Sequence, residues 1–154
     1  MSAAQVGGAS SECVAKWTEA IDSRVERMVQ FVVREQTDAV LIQCGLKDIM
    51  VLIEAELVGG GNTEEFSKVV GLEPKTVKEK IDVFYSSLFS PPIPGYEDIS
   101  DGKIRGAARR GTADAIIDCY QQIFGVVMDP KHGYAEHGVS CKHSPSQVKI
   151  LLNV

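Results

Sequence analysis

The chain reads Met128-Asp129-Pro130-Lys131-His132-Gly133-Tyr134 and then, after a short loop, His143-Ser144-Pro145-Ser146-Gln147-Val148-Lys149-Ile150-Leu151-Leu152. Proline disfavours the α conformation at the residue before it, so Asp129-Pro130 predicts the end of a helix. Ser144-Pro145 predicts the start of another, because serine caps a helix and proline fits its first position at no cost in hydrogen bonding. The end of the chain is therefore predicted to contain a helix stop, a loop and a short terminal helix.

Upstream of this stretch, apolar residues recur every three or four positions, as in amphipathic helices. The first helix is predicted to begin near Ser10 or Ser11. Its apolar stripe comprises Val14, Trp17, Ile21, Val25, Met28, Val32 and then Ala39 or Val40. Gly45 interrupts the pattern, and a second amphipathic stretch follows over residues 46–53 and ends at the glycines of residues 59–61.

Three further segments follow the same logic. Asn62 and Glu65 resemble a capping box that opens a short helix, which Gly71 closes in the left-handed conformation. Pro74 begins a helix whose apolar face is Val77, Ile81, Phe84 and Leu88. After a proline-rich break at residues 90–95, the last long helix is predicted to run from about residue 100 to residue 128. Its face is predicted to be Ile104, Ala108, Gly111, Ala115, Cys119, Ile123 and Val126 or Val127.

No segment alternates with strand periodicity, so the sequence predicts an all-α fold. We expect an elongated antiparallel bundle of about five or six helices joined by short loops. Residues 1–10, rich in alanine, glycine and serine, are predicted to be disordered, and residues 11–154 to form a single helical domain.

Composition narrows the classes of function. A net charge of −5 argues against general binding to nucleic acid. No apolar run approaches the ~20 residues that span a bilayer, and the first ten residues lack the pattern of a secretory signal. The four cysteines form no CxxC pair and indicate a reduced, intracellular protein. No Ser/His/Asp or Cys/His set has the context of a catalytic nucleophile, so we expect no enzyme and no cofactor.

The order of several motifs resembles the C-terminal region of subunit 6 of the conserved oligomeric Golgi complex. The blocks are residues 35–49, which contain Gly45-Leu46, residues 84–91, residues 119–124, and the tail quoted above. The loops at residues 57–63, 100–111 and 135–138 depart from the family pattern. The residues that carry the resemblance, and to which it assigns structural roles, are Gly45, Leu46, Asp129, Pro130, Tyr134, His143, Ser144, Pro145, Gln147, Val148, Leu151 and Leu152.

The resemblance implies a non-enzymatic component of a Golgi vesicle-tethering complex, and this chain would be the C-terminal portion of a longer subunit. The implied partners are other subunits of the complex and Golgi SNAREs, and the implied process is retrograde transport within the Golgi. The implied location is the cytosol and the cytoplasmic face of the Golgi membrane, held there peripherally through partners. Within this picture, Val148, Leu151 and Leu152 are expected to dock the terminal helix on the bundle.

Two clusters of residues suggest other functions. Lys103, Arg105, Arg109 and Arg110 form a basic patch that could contact an acidic partner or an anionic lipid, or simply be solvated. A small helical module that binds anionic lipid is therefore the alternative function. His132, His137, Cys141 and His143 lie within twelve residues, but their spacing fits no common zinc module, so we expect no metal and no metal-dependent enzyme.

Two short motifs are explained more simply by packing. Gly102, Gly106 and Gly111 are not a phosphate loop, because no Gly-Lys-Ser/Thr follows, and they suggest close packing of helices instead. The prolines of residues 91–94 could dock in an aromatic groove but are expected to be a rigid loop.

Overall fold

The computed structural model describes residues 3–59, 65–89 and 93–152, with side chains from residue 11 onward. These ranges contain five α-helices and no strand: α1 (Ala3–Gln43), α2 (Leu46–Val58), α3 (Pro74–Ser87), α4 (Gly102–Met128) and α5 (Pro145–Leu152). Single 3-10 turns occupy Phe66–Lys68, Pro130–His132 and Ala135–His137. The prediction of an all-α helical bundle is confirmed.

Helix α1 begins earlier than the sequence predicted. It starts at Ala3 rather than near Ser10, so residues 3–10 are helical where disorder was predicted, while residues 1 and 2 lie outside the described ranges. Three alanines in this segment have high helix propensity, and extending an existing helix avoids the cost of a new nucleus. The small, polar composition was therefore misleading about the start of the helix.

Gly45 makes the turn between α1 and α2. Its φ of 76° is left-handed, a conformation that costs other residues energy, and its N–H donates to the carbonyl of Ile42 at 3.0 Å. Leu46 follows at once and is fully buried. The predicted interruption of the helical pattern at Gly45 is confirmed, and it folds α2 back against α1.

The core lies between α2, α3 and α4 and is completed by the C-terminal part of α1 and by α5. The predicted apolar face of α3 is confirmed, since Val77, Ile81, Phe84 and Leu88 are all buried. Between α2 and α3, the short helix predicted after Asn62 is instead a 3-10 turn at Phe66–Lys68, and Asn62 itself lies outside the described residues. Gly71 has a φ of 91°, as predicted.

Helix α4 buries a different face from the one predicted. Ala108, Ile123 and Val127 are buried as expected, but the residues at the centre of the core are Thr112, Ala113, Ile116 and Tyr120. Ala115 and Cys119, which the prediction placed there, are only half-buried. Gly111 and Ala115 are small and only weakly apolar, so the sequence indicated the buried face of this helix poorly.

Close packing of helices occurs at one of the three glycines of α4. A Cβ on Gly111 would lie 3.3 Å from Cγ2 of Val33 in α1. A Cβ on Gly102 or Gly106 would meet only the arginine tips of α4 itself. The predicted close crossing is therefore wrong for Gly102 and Gly106, whose neighbours are long, flexible side chains.

The tail follows the predicted pattern with one exception. The backbone N–H of Gln147 donates to Oγ of Ser144 at 3.2 Å, and the N–H of Ser144 donates to Oε1 of Gln147 at 2.9 Å, which is a capping box. Val148 and Leu152 are buried against the bundle. Leu151 is 38% exposed, so its predicted docking is wrong, because an eight-residue helix packs only one face inward.

Candidate partner-binding surface

Two tyrosines hold the tail in place from the bundle. The backbone N–H of His143 donates to the hydroxyl of Tyr85 at 3.5 Å, and the hydroxyl of Tyr120 donates to the carbonyl of His143. The two hydroxyls lie 2.6 Å apart. Because the proton of Tyr120 is used on the carbonyl, Tyr85 must be the donor between them. The three bonds close a ring that joins α3, α4 and the tail, and burial raises the pKa of both phenols.

The residues at the end of α4 are also structural. The carboxylate of Asp129 accepts from the N–H of Lys131 at 3.1 Å, and Pro130 begins the 3-10 turn that ends α4. Tyr134 is buried, and its hydroxyl donates to the carbonyl of Leu72 at 2.8 Å. These contacts tie the tail to the segment before α3.

The histidine-rich segment does not converge on one point. His132 is buried and stacks on Phe66 with ring centroids 4.2 Å apart, and its Nδ1 accepts from the N–H of Phe66 at 3.4 Å. His143 lies edge-on to Tyr85, while His137 is exposed. Across the described parts of the chain, no three His, Cys, Asp or Glu side chains are grouped as metal ligands would be.

Two of the four thiols lie in surroundings that disfavour reactivity. Cys13 is exposed, Cys44 is buried, and Cys119 and Cys141 are half-buried. Burial raises the pKa of the Cys119 and Cys141 thiols, which disfavours the thiolate that a nucleophilic cysteine requires.

The basic patch lies on the first turns of α4. Among the described residues, Lys103, Arg105, Arg109 and Arg110 have no carboxylate partner within 4.0 Å. The carboxylate of the neighbouring Asp101 caps α4 by accepting from the N–H groups of Lys103 and Ile104, at 2.9 and 3.2 Å. The patch is thus a cluster of four solvated or partly solvated cations.

The most unusual surface lies on residues 14–31 of α1. Five large apolar side chains there are exposed, and we call them the outer stripe: Val14, Trp17, Ile21, Met28 and Phe31. Trp17 is 74% exposed, and Met28 and Phe31 are each 64% exposed. Soluble proteins seldom leave contiguous apolar side chains of this size uncovered unless they bind something.

The outer stripe lies on a part of α1 that the bundle covers little, since every residue from 11 to 24 is exposed. At about 100° per residue, Trp17, Ile21 and Met28 fall within about 40° of one another around α1. The residues that bury α1 in the core are Thr37, Val40 and Leu41, roughly 180° away on the same scale. The sequence revealed the apolar stripe, but its period alone could not show that the opposite side of the helix packs on α4.

The spacing of the outer stripe is that of a coiled-coil seam. With Arg24 included, its positions are 14, 17, 21, 24, 28 and 31, which alternate steps of three and four residues. This alternation defines the a and d positions of a heptad repeat, the narrow seam along which helices pair. The surface therefore has the form that receives another helix.

Comparisons with known proteins assign the chain to a family. The family model described as conserved oligomeric Golgi complex subunit 6, C-terminal, matches residues 4–152. The chain is similar to conserved oligomeric Golgi complex subunit 6 of Arabidopsis thaliana, with 24% identity over 134 residues, which are 84% of this chain and 19% of that protein. The chain thus spans about a fifth of the length of this relative. No solved structure matches the chain. None of the helices in the described ranges has both the length and the hydropathy needed to cross a membrane.

Proposed function

The chain belongs to the family of the C-terminal region of conserved oligomeric Golgi complex subunit 6, and we propose that it is a non-enzymatic binding module of that complex. Its role is to hold other subunits of the complex. The observation that carries this proposal is the outer stripe, an exposed apolar seam on α1, a helix that packs into the bundle only from about residue 25 onward.

The outer stripe supplies enough driving force for association. Full burial of one large apolar side chain contributes about 1.5–3 kcal/mol. Five such side chains lie along one line of α1, so a partner helix that covered them would gain several times this amount before the entropy costs of association. Among the described elements, α1 exposes the largest number of these side chains along one line.

The transport step, the further partners and the location that we propose are based on membership of the family. Holding subunits of a vesicle-tethering complex would serve retrograde transport within the Golgi, and Golgi SNAREs are further proposed partners. The protein would act in the cytosol and at the cytoplasmic face of the Golgi membrane, attached peripherally through its partners.

A capture experiment tests the proposal. The tagged chain is incubated with cytosol, and the other subunits of the complex are detected by immunoblot. The wild-type chain is expected to recover at least one subunit, and Trp17→Asp with Ile21→Asp is expected to abolish the recovery. Ile150→Asp is the matched control, because Ile150 is an equally exposed apolar residue on α5, away from the outer stripe. Recovery of no subunit by the wild-type chain, or equal recovery by the stripe variant, would contradict the proposal.

The basic patch favours a second candidate function, binding of anionic lipid. Its four cations have no carboxylate partner among the described residues, so they are free to meet phosphate groups. Flotation with vesicles that contain phosphatidylserine tests this function. Binding that is lost in Arg109→Glu with Arg110→Glu would support it, while absence of flotation at physiological salt would rule it out.

A further inference from the structure

We propose that the occupant of the outer stripe is an amphipathic helix of another protein, with an acidic side chain facing Arg24 and further acidic side chains along one edge. This inference rests on the proposed function and specifies the chemistry of the partner. It is carried by the position of Arg24 in the seam and by the charges that flank the seam between residues 19 and 34 of α1.

Arg24 occupies a core position of the seam. It lies one step from Ile21 and one step from Met28, where the alternating spacing places side chains that face the partner. Trp17, Ile21, Arg24 and Arg27 line one shallow groove, and Arg24, Arg27, Met28 and Phe31 line the next one along the helix. A partner helix seated on the stripe would therefore cover Arg24 and remove water from its guanidinium.

A covered guanidinium needs an acidic partner, because an unpaired charge in an apolar interface costs far more than it gains. The structure describes no carboxylate within 4.0 Å of Arg24, so this chain does not supply the partner itself. A polar residue at one core position of a seam also sets the register and the choice of partner. The acidic side chain must then come from the incoming helix.

One flank of the seam is positively charged, like Arg24 within it. Arg27 and Arg34 lie in the g positions on one side of the stripe, and both are exposed. Arg27 is held along the helix by a hydrogen bond from Nε to the carbonyl of Ser23 at 3.3 Å. The acidic residues Glu19 and Glu26 lie roughly 150–180° from the centre of the stripe, at about 100° per residue, and so face away from it. An incoming helix consequently meets a basic edge.

A second copy of the chain, paired in parallel, is a poorer occupant. Pairing of two α1 helices in register and in parallel would place Arg24 against its counterpart, and Glu19 and Glu26 of each copy would remain on the far side. Like charges opposed in an interface disfavour pairing, whereas an acidic edge on a different helix complements all three arginines.

Capture of the other complex subunits is measured for the wild-type chain and for Arg24→Glu, Arg24→Met and the control Lys78→Glu. Lys78 is exposed on α3 and gives the same change of charge away from the seam. We expect Arg24→Glu to weaken capture at least tenfold, Arg24→Met to weaken it severalfold, and Lys78→Glu to leave it unchanged. Raising the salt concentration is expected to weaken capture by the wild-type chain more than capture by Arg24→Met.

Arg24→Met is the decisive variant. It extends the apolar seam, so a purely apolar occupant would bind this variant as tightly as wild type or more tightly, and that result would overturn the inference. Dimerisation of the chain alone that is lost in Trp17→Asp would overturn it in favour of a second copy. Failure of the wild-type chain to recover any subunit would instead refute the proposed function and this inference with it. If the stripe variant loses capture of the subunits while the Arg24 variants keep it, the inference is refuted and the proposed function stands.

Discussion

Replacing Tyr120 with phenylalanine removes one hydroxyl from the ring that holds the tail. The hydroxyl accepts from Tyr85 and donates to the carbonyl of His143, and Tyr120 is fully buried. Its loss leaves the carbonyl without that partner, and an unsatisfied buried group costs about 1–3 kcal/mol. For a domain of this size, each kcal/mol lowers Tm by roughly 2–4 °C, so Tm should fall by roughly 2–12 °C.

The assay is urea unfolding followed by circular dichroism on four proteins: wild type, Tyr120→Phe, Tyr85→Phe and the double variant. Because both hydroxyls belong to one ring, the double variant should be less destabilised than the sum of the single variants, by about 0.5–3 kcal/mol. Tyr134→Phe is the matched control, because Tyr134 donates to a different carbonyl, that of Leu72. Its effect should add to that of Tyr120→Phe.

Two results would refute this reasoning. A change below about 0.5 kcal/mol for Tyr120→Phe, which is the scatter of neutral surface substitutions, would show that the hydroxyl contributes nothing net to stability. Strict additivity of Tyr85→Phe and Tyr120→Phe would show that the hydroxyls act separately and that the ring is not a unit.

Three other perturbations have defined outcomes. Leu152→Ala should destabilise the chain by about 2–3 kcal/mol, while Leu151→Ala on the exposed side of α5 should cost less than about 1 kcal/mol; equal effects in urea unfolding would contradict the docking of α5. Gly45→Ala should cost about 1–2 kcal/mol, because its φ of 76° is left-handed; a neutral or higher Tm would show that the turn relaxes. Burial raises the pKa of Tyr134 from the ordinary 10.0 to about 12. The contribution of the neutral Tyr134 phenol to the free energy of unfolding is thus complete below pH 10 and is lost as the pH rises toward 12. Tyr134→Phe should therefore lose less stability than wild type between about pH 9 and pH 11, as measured by unfolding curves at both pH values.

The sequence predicted the boundaries between helices best where particular residues enforce them. Gly45 needs a left-handed turn, Pro74 starts α3, and the Ser144-Pro145 pair starts α5 with the capping box that its Gln147 completes. These signals are local, so they can be recognised in the sequence without knowledge of how the helices pack. The start of α1 lacks any such signal, and the prediction placed it several residues too late.

The candidate site was only half visible in the sequence. Periodicity identified the apolar residues of α1, including Trp17, Ile21 and Met28, but an amphipathic pattern does not say which element covers the apolar face. In the structure α4 packs on the side of α1 that carries Val33, where Gly111 allows a close approach. The role of Tyr120 was hidden for the same reason, since hydrogen bonds to Tyr85 and His143 join residues far apart in the sequence.

The central claim, that the outer stripe is covered by another subunit of the complex, is tested most directly by cross-linking. A photoreactive p-benzoylphenylalanine is placed at Ala20, which lines the rim of the stripe beside Trp17 and Ile21, and at Lys78 on α3 as the control. The account predicts that irradiation in cells joins the Ala20 position to another subunit of the conserved oligomeric Golgi complex and leaves the Lys78 position without that product. The same products from both positions, or no subunit joined at Ala20, would contradict it.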